Sequence, residues 1–134
     1  MILPIDQAVA FVGDARARGQ RVVLSTGVFD LLHPGHIRRL TAARAQGDVL
    51  VVGVNSDRSA RAAQAPARPV MPEQERAEIV AALGVVDAVV IFDDVAPDRL
   101  IERLRPDVVT NDLTMEHGWS TSAIIKKAQA LQGS

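Results

Sequence analysis

Residues 49–54 read Val-Leu-Val-Val-Gly-Val, apolar at every position. A strand with one wet face alternates apolar and polar side chains, because successive residues point to opposite sides. A run with no polar partner face therefore asks for cover on both sides, the condition of a central strand in a parallel sheet. Shorter apolar runs occur at 21–25, 88–92 and 107–110. Between them the apolar spacing changes from continuous to helical. In 5–18 it falls on Ile5, Val9, Val12 and Ala15, with Gly19 placed to end the turn. Further helices are predicted over 34–45, closed by Gly47, over 72–83, ending at Gly84, and over 97–104 and 121–131. Pro34, Pro72 and Pro97 each stand at a predicted helix start, where the missing N–H costs nothing. Strands alternating with helices imply an α/β sandwich of three layers, a parallel sheet of four to five strands with helices on both faces. The 134 residues fit a single domain.

Composition narrows the function. With 48% hydrophobic residues the chain can build a core, and with three Phe and one Trp that core is fine-grained. The net charge of −1, with no basic run, argues against a nucleic-acid partner held by bulk electrostatics. There is no cysteine, so disulfides and thiolate metal sites are excluded. The opening Met1-Ile2-Leu3-Pro4-Ile5-Asp6 lacks the basic region and long apolar stretch of a secretion signal, and no apolar run approaches membrane-spanning length. The expectation is a cytoplasmic protein with no membrane partner. Ile2, Leu3, Ile5 and Phe11 suit either a subunit contact or the chain's own core.

In such sheets ligands bind outside the carboxyl ends of the strands. The first strand leads into Ser25-Thr26-Gly27-Val28-Phe29-Asp30, and then His33-Pro34-Gly35-His36 opens the next helix. Two imidazoles around a Pro-Gly step, at a strand-to-helix junction, form an anion-handling device. Gly35 lets a phosphate approach the backbone, the imidazoles donate hydrogen bonds, and the helix start offers free N–H groups. Histidines can also be structural or bind metal. A zinc site is the weaker reading, since a third ligand would have to come from far away and no His-Glu helix pattern is present. The phosphate reading is preferred, with His33 and His36 as catalytic candidates.

Ser120, Thr121 and Ser122 precede the last predicted helix. Alone they read as an ordinary cap; together with the histidine motif they read as a second grip on phosphate. Arg58 reads as a surface residue, while Arg61 divides evenly between solvent and charge stabilisation on a transferring phosphate. Arg76 suits the ligand edge or an exposed helix face almost equally.

The stretch Ser25–His36 resembles the signature of the cytidylyltransferase-like nucleotidyltransferases. Asn55-Ser56-Asp57, Arg68-Pro69, Glu75-Arg76-Ala77, Val86-Asp87, Arg105-Pro106-Asp107-Val108 and Ser120-Thr121-Ser122 continue the likeness in order, over roughly residues 4 to 131. Within the family the chain is most similar to the bacterial adenylyltransferases of heptose 1-phosphate. Glycerol-3-phosphate cytidylyltransferases are more distant. The resemblance implies a Rossmann-like sandwich of the HxGH nucleotidyltransferase type and transfer of AMP from ATP to a sugar 1-phosphate, with Mg²⁺ assisting and pyrophosphate leaving. It implies that His33 and His36 contact the triphosphate and that Ser120, Thr121 and Ser122 hold its outer phosphates. The Gly27 and Phe29 backbone would line the nucleotide pocket. Asp30, which would help order that loop, and Arg76 are the candidates for the acceptor side. It also implies a homodimer.

Three departures from the family pattern stand out. Thr26 and Val28 replace asparagine and cysteine beside Gly27, which would tune substrate choice. Arg61 stands where relatives carry lysine. Residues 111–119 replace a longer glycine-rich segment, helix and strand, leaving Asp112 as the acidic candidate for base recognition. The alternatives are a CTP-using enzyme acting on glycerol 3-phosphate or another small polyol phosphate, a catalytically impaired nucleotide-binding module, and a partner-binding domain that keeps only the fold.

Overall fold

The computed structural model describes residues 1–63 and 69–110. Its elements in chain order are α1 (Ile5–Ala17), β1 (Val22–Gly27), α2 (Pro34–Arg44), β2 (Val49–Asn55), α3 (Asp57–Ala63), α4 (Glu73–Ala81), β3 (Ala88–Phe92), α5 (Asp98–Leu104) and β4 (Val108–Thr110). The strands form one parallel sheet in the order β3-β2-β1-β4. The expected architecture is therefore present: a Rossmann-like sheet of four strands between two helical layers. The predicted helix over 121–131 lies outside the described residues.

Period-two alternation sorts the strand residues onto two cores. Val22, Leu24, Val49, Val51, Ala88 and Val90 face α1 and α5, where they meet Ala8, Val12, Ala15, Leu100 and Leu104. Val23, Leu50, Val52, Val54 and Val89 face the other way, against Leu40 and Ala43 of α2 and Ala77 and Val80 of α4. The run at 49–54 is buried throughout, as a doubly covered strand must be. Its one gap in side chains, Gly53, is a packing requirement. A Cβ there would stand 2.7 Å from Leu100 Cδ2 and 3.2 Å from both Phe92 Cε1 and Thr26 Cγ2.

Helix α1 ends as its glycine predicts. Gly19 adopts φ +77, and the Gly19 and Gln20 amides donate to the Arg16 and Ala15 carbonyls, which closes the last turn. Among the apolar residues near the start, Leu3, Ile5 and Phe11 pack against the core. Ile2 forms a parallel bridge to Val89 on the outer edge of β3.

The amino edge of the sheet is pinned by a repeated device. Asp48, Asp87 and Asp107 each precede a strand, and each carboxylate accepts an amide at the start of the neighbouring strand: Arg21, Leu50 and Val22 respectively, all at 2.8 Å. The same residues' own amides donate back to the Arg21, Leu50 and Val22 carbonyls. This reciprocal pairing sets the register where the strands begin.

One expectation changes at the carboxyl edge. β1 continues to Gly27 because its pairing with β2 continues through Thr26↔Gly53 and Gly27↔Val54. Residues 57–63 form a regular helix, capped where Ser56 Oγ accepts the Ser59 amide at 3.1 Å. Among the described residues, no helix is long and apolar enough to cross a membrane.

Candidate active site

The chain steps outward from β1 to β2 to β3, then returns to the far side of β1 for β4. A crevice belongs outside the carboxyl ends of β1 and β4, where that order reverses. β1 delivers Thr26, Gly27 and Val28 to this edge, all buried, and the loop through Phe29 and Asp30 leads into α2.

His33 is the N-cap of α2, with extended backbone (φ −139, ψ 171). Its Nδ1 accepts the Gly35 amide at 3.1 Å, and His36 Nδ1 accepts the His33 amide at 3.2 Å. This is a capping box in which imidazoles take the places usually held by Ser or Thr and Glu. The three-residue spacing is what the box requires. It also has a chemical consequence. A neutral imidazole carries one N–H, and with both Nδ1 atoms accepting, both protons sit on Nε2. The structural role of the histidines thus uses one nitrogen of each ring and leaves the other as a donor.

The rings are buried, His33 4% and His36 1% exposed, with centroids 3.9 Å apart. Burial, and then the charge of Arg39, hold the His33 pKa below its ordinary value. For His36, burial, His33 and Arg39 together push it down to about 3. At neutral pH both rings are uncharged donors.

The loop before α2 is held under strain. Phe29 and Leu31 adopt φ 54 and 53, a left-handed conformation that costs non-glycine residues about 1–3 kcal/mol each. Buried polar anchors hold it there. Asp30 is fully buried, and its carboxylate accepts the Val70 amide at 2.7 Å and the Met71 amide at 3.0 Å. Arg76, 1% exposed, donates from Nη1 to the Val28 carbonyl (2.6 Å) and the Asn55 carbonyl (2.9 Å). It also donates from Nε to the Met71 carbonyl (2.9 Å) and from Nη2 to Asp57 Oδ1 (2.8 Å).

These bonds bear on two expectations. Arg76 does not present its charge to a ligand: its guanidinium points inward and ties the ends of β1 and β2 to the loop before α4. Asp30 likewise spends its carboxylate on the 70–71 backbone. Among the described residues both side chains bond the chain's own edge, and for Asp30 this fits the loop-ordering role expected of it.

Phe29 contributes more than backbone. Its ring is buried, lies 5.5 Å from the His36 ring, and carries the Arg39 guanidinium 5.1 Å above its centroid. Sequence reasoning missed Arg39. The available signal was its spacing, three residues beyond His36 on the same helix, which places it on the buried side of α2. Arg61 is exposed on the last turn of α3, and among the described residues it makes no hydrogen bond or ion pair to the histidines. Arg58 pairs with Asp93 at the surface, as its surface reading had it. Gly35 is buried within the first turn of α2 beside the imidazoles. Asp112, Ser120, Thr121 and Ser122 lie outside the described residues.

Comparison with known proteins agrees with this geometry. The cytidylyltransferase-like family model matches residues 24–132, a span that begins in β1 and contains the histidine loop. The chain is 50% identical over 105 residues to the bifunctional protein HldE of Methylobacillus flagellatus, covering 78% of this chain and 22% of that protein. It is 53% identical over 94 residues to HldE of Syntrophotalea carbinolica, covering 70% of this chain and 19% of that one. The chain therefore spans only about a fifth of the length of these curated relatives. Among solved structures, the lipopolysaccharide core biosynthesis protein of Thermoplasma volcanium superposes with a TM-score of 0.66 at 31% identity, covering 85% of this chain and 90% of that one. With the family model spanning most of its length, the chain belongs to the cytidylyltransferase-like family of nucleotidyltransferases.

Proposed function

We propose that this chain transfers AMP from MgATP to a sugar 1-phosphate of the heptose 1-phosphate type, releasing pyrophosphate. The observation that carries the reading is the imidazole pair at the start of α2, whose Nδ1 atoms accept main-chain amides so that each ring carries its proton on Nε2, at the reversal point of a parallel sheet. A nucleotide triphosphate is the ligand class such an edge suits: neutral imidazole donors at the positive end of α2 stabilise spreading negative charge without needing to exchange protons. The phosphate oxygen of the acceptor forms a bond to the α-phosphorus as the bond from that phosphorus to the bridging α–β oxygen breaks. Pyrophosphate carries the electron pair away. No protein nucleophile takes part, so the chain contributes position and electrostatics. Mg²⁺, bound with the nucleotide, would supply charge neutralisation to its phosphates. The resemblance stated above supports the adenylyl and heptose assignments.

The name of the matching family favours a second reading, a cytidylyltransferase acting on a small polyol phosphate. One assay separates them. ATP and CTP are each supplied with a heptose 1-phosphate and with glycerol 3-phosphate, and pyrophosphate release is followed. Release with ATP and the sugar phosphate alone supports the first reading, and release with CTP and glycerol 3-phosphate supports the second. Stabilisation by nucleotide without any release identifies a binding module, and no response to either nucleotide refutes all three. A ligand at a hundred times its Kd adds about 2.7 kcal/mol of stability, so the binding arm is sensitive.

A further inference from the structure

Ser25 and Thr110 are register partners on adjacent strands, one near the carboxyl end of β1 and the other closing β4. Side chains two residues apart on a strand share a face of the sheet. Val23 and Val108, also register partners, pack into the core beneath α2 and α4. Ser25 and Thr110 therefore face the side of α2 and its imidazoles. Ser25 is fully buried, Thr110 Oγ1 is covered as well, and neither hydroxyl has a hydrogen-bond partner. A buried hydroxyl left unpaired destabilises a fold, whereas alanine or valine in its place would pack without that loss. The polar side chains at the end of β2 make the contrast. Asn55, Ser56 and Ser59 bond one another, and Asn55 also donates to the Asp94 carbonyl. The unpaired hydroxyls stand instead at β1 and β4, where the strand order reverses and ligands bind.

We propose that these two hydroxyls form a subsite for a sugar hydroxyl of the substrates, with Thr110 making the contact and Ser25 positioning it. The inference rests on the transferase reading of the same edge. Paired strands stand about 4.8 Å apart, so rotation about χ1 between staggered positions brings the Ser25 O–H onto Thr110 Oγ1. Thr110 is half-buried, and a rotation of the same kind turns its own O–H from the covered side toward the crevice. Ser25 then donates to Thr110, and Thr110 donates to the ligand. A phosphate oxygen only accepts and is held best by positive charge, and neither hydroxyl is paired with a cation. A sugar hydroxyl both donates and accepts, as Thr110 does. Two substrates carry such groups: the nucleotide on its ribose, and the acceptor sugar.

The test uses Ser25→Ala, Thr110→Val, Thr110→Ser and the double variant Ser25→Ala with Thr110→Val. Free of ligand, Ser25→Ala and Thr110→Val are expected to melt at or above the wild type, since each removes an unpaired hydroxyl. In turnover Thr110→Val is expected to lose about three- to tenfold in kcat/KM, the range of one neutral hydrogen bond. Ser25→Ala loses about two- to threefold. The double variant loses no more than Thr110→Val alone, because Ser25 acts through Thr110, and Thr110→Ser restores activity. Two further arms find the source of the hydroxyl. One compares the affinity for ATP, 2′-deoxy-ATP and 3′-deoxy-ATP from their melting shifts, and the other measures KM for the sugar phosphate. With ribose as the ligand, the wild type prefers ATP to one deoxy analogue and Thr110→Val loses that preference. With the acceptor sugar as the ligand, nucleotide preference is unchanged and KM for the sugar phosphate rises in Thr110→Val. Variants that melt below the wild type mark the hydroxyls as structural and overturn the proposal, as does a double variant whose loss is the product of the single ones. Loss of the ATP preference in Thr110→Val, in a protein that turns nothing over, would refute the transferase reading and leave the subsite in place. Full turnover in every variant would do the reverse.

Discussion

Replacing Arg76 by methionine separates a strut from a ligand residue. The guanidinium is 1% exposed and makes bonds of 2.6–2.9 Å to Val28, Asn55 and Met71 carbonyls and to Asp57. Methionine fills similar space but leaves three carbonyls without their donor, at about 1–3 kcal/mol for each that stays buried and unsatisfied. Asp57 keeps 27% of its side-chain exposure, so its lost partner is partly replaced by water and adds little. Some relaxation of the loop offsets part of the sum. The net loss is expected at about 3–5 kcal/mol, the range found when a buried ion pair loses one member. In a chain of this size that lowers Tm by about 10–20 °C. Lysine does not rescue it, because a single ammonium cannot fork to Val28, Asn55 and Asp57 together; Arg76→Lys should still lose at least about 2 kcal/mol. Urea unfolding followed by circular dichroism measures both. If Arg76→Met unfolds within about 1 kcal/mol of the wild type yet loses nucleotide turnover, the strut account is wrong and Arg76 is a ligand contact after all.

Acidification tests the buried histidines. The folded-state pKa of His36 lies far below its unfolded value, so on acidification the unfolded chain takes up the proton first, and stability falls as pH drops from about 6.5 toward 3. The slope is about 1.4 kcal/mol per pH unit for each such ring, and His36→Gln should flatten it in denaturant titrations at pH 4, 5 and 6. At the opposite edge, Asp87→Ala removes the acceptor for the Leu50 amide and the 3.5 Å contact with Arg44. With the Asp87 side chain 40% exposed, the loss is expected at about 1 kcal/mol, with unchanged KM for nucleotide, as read by thermal melting and steady-state kinetics. Gly53→Val drives a side chain into Leu100, Phe92 and Thr26 and should cost about 1–3 kcal/mol by the same unfolding assay.

Local patterns carried most of the architecture. The continuous run at 49–54, the helical spacing of Ile5, Val9, Val12 and Ala15, and the Pro–Gly punctuation of the helices act within a few residues, so they survive in sequence alone. Strand 88–92 appears at its expected bounds. The histidine pair was legible for the same reason: a capping box is a local object of three-residue spacing. What escaped were relations over long separations. Arg76 lies 48 residues from Val28, and no local pattern distinguishes a buried arginine that ties two strands from an exposed one. Asp48, Asp87 and Asp107 read as loop residues until the parallel register brings each beside its neighbour's first amide. Arg39 was hidden because a charged residue on a helix is ordinarily solvated, and only the left-handed turn at Phe29 brings an aromatic ring under it.

The central claim is that the two imidazoles meet nucleotide phosphates through Nε2–H. Nitrogen-15 spectra of the labelled imidazoles at pH 7.5 test it directly, with MgATP added to one sample and adenosine to another. Movement of the His33 and His36 Nε2 resonances with MgATP, but not with adenosine, is the expected result, with both Nδ1 signals remaining those of unprotonated acceptors. Rings that respond equally to adenosine, that stay still with MgATP, or that carry their proton on Nδ1 would contradict the account.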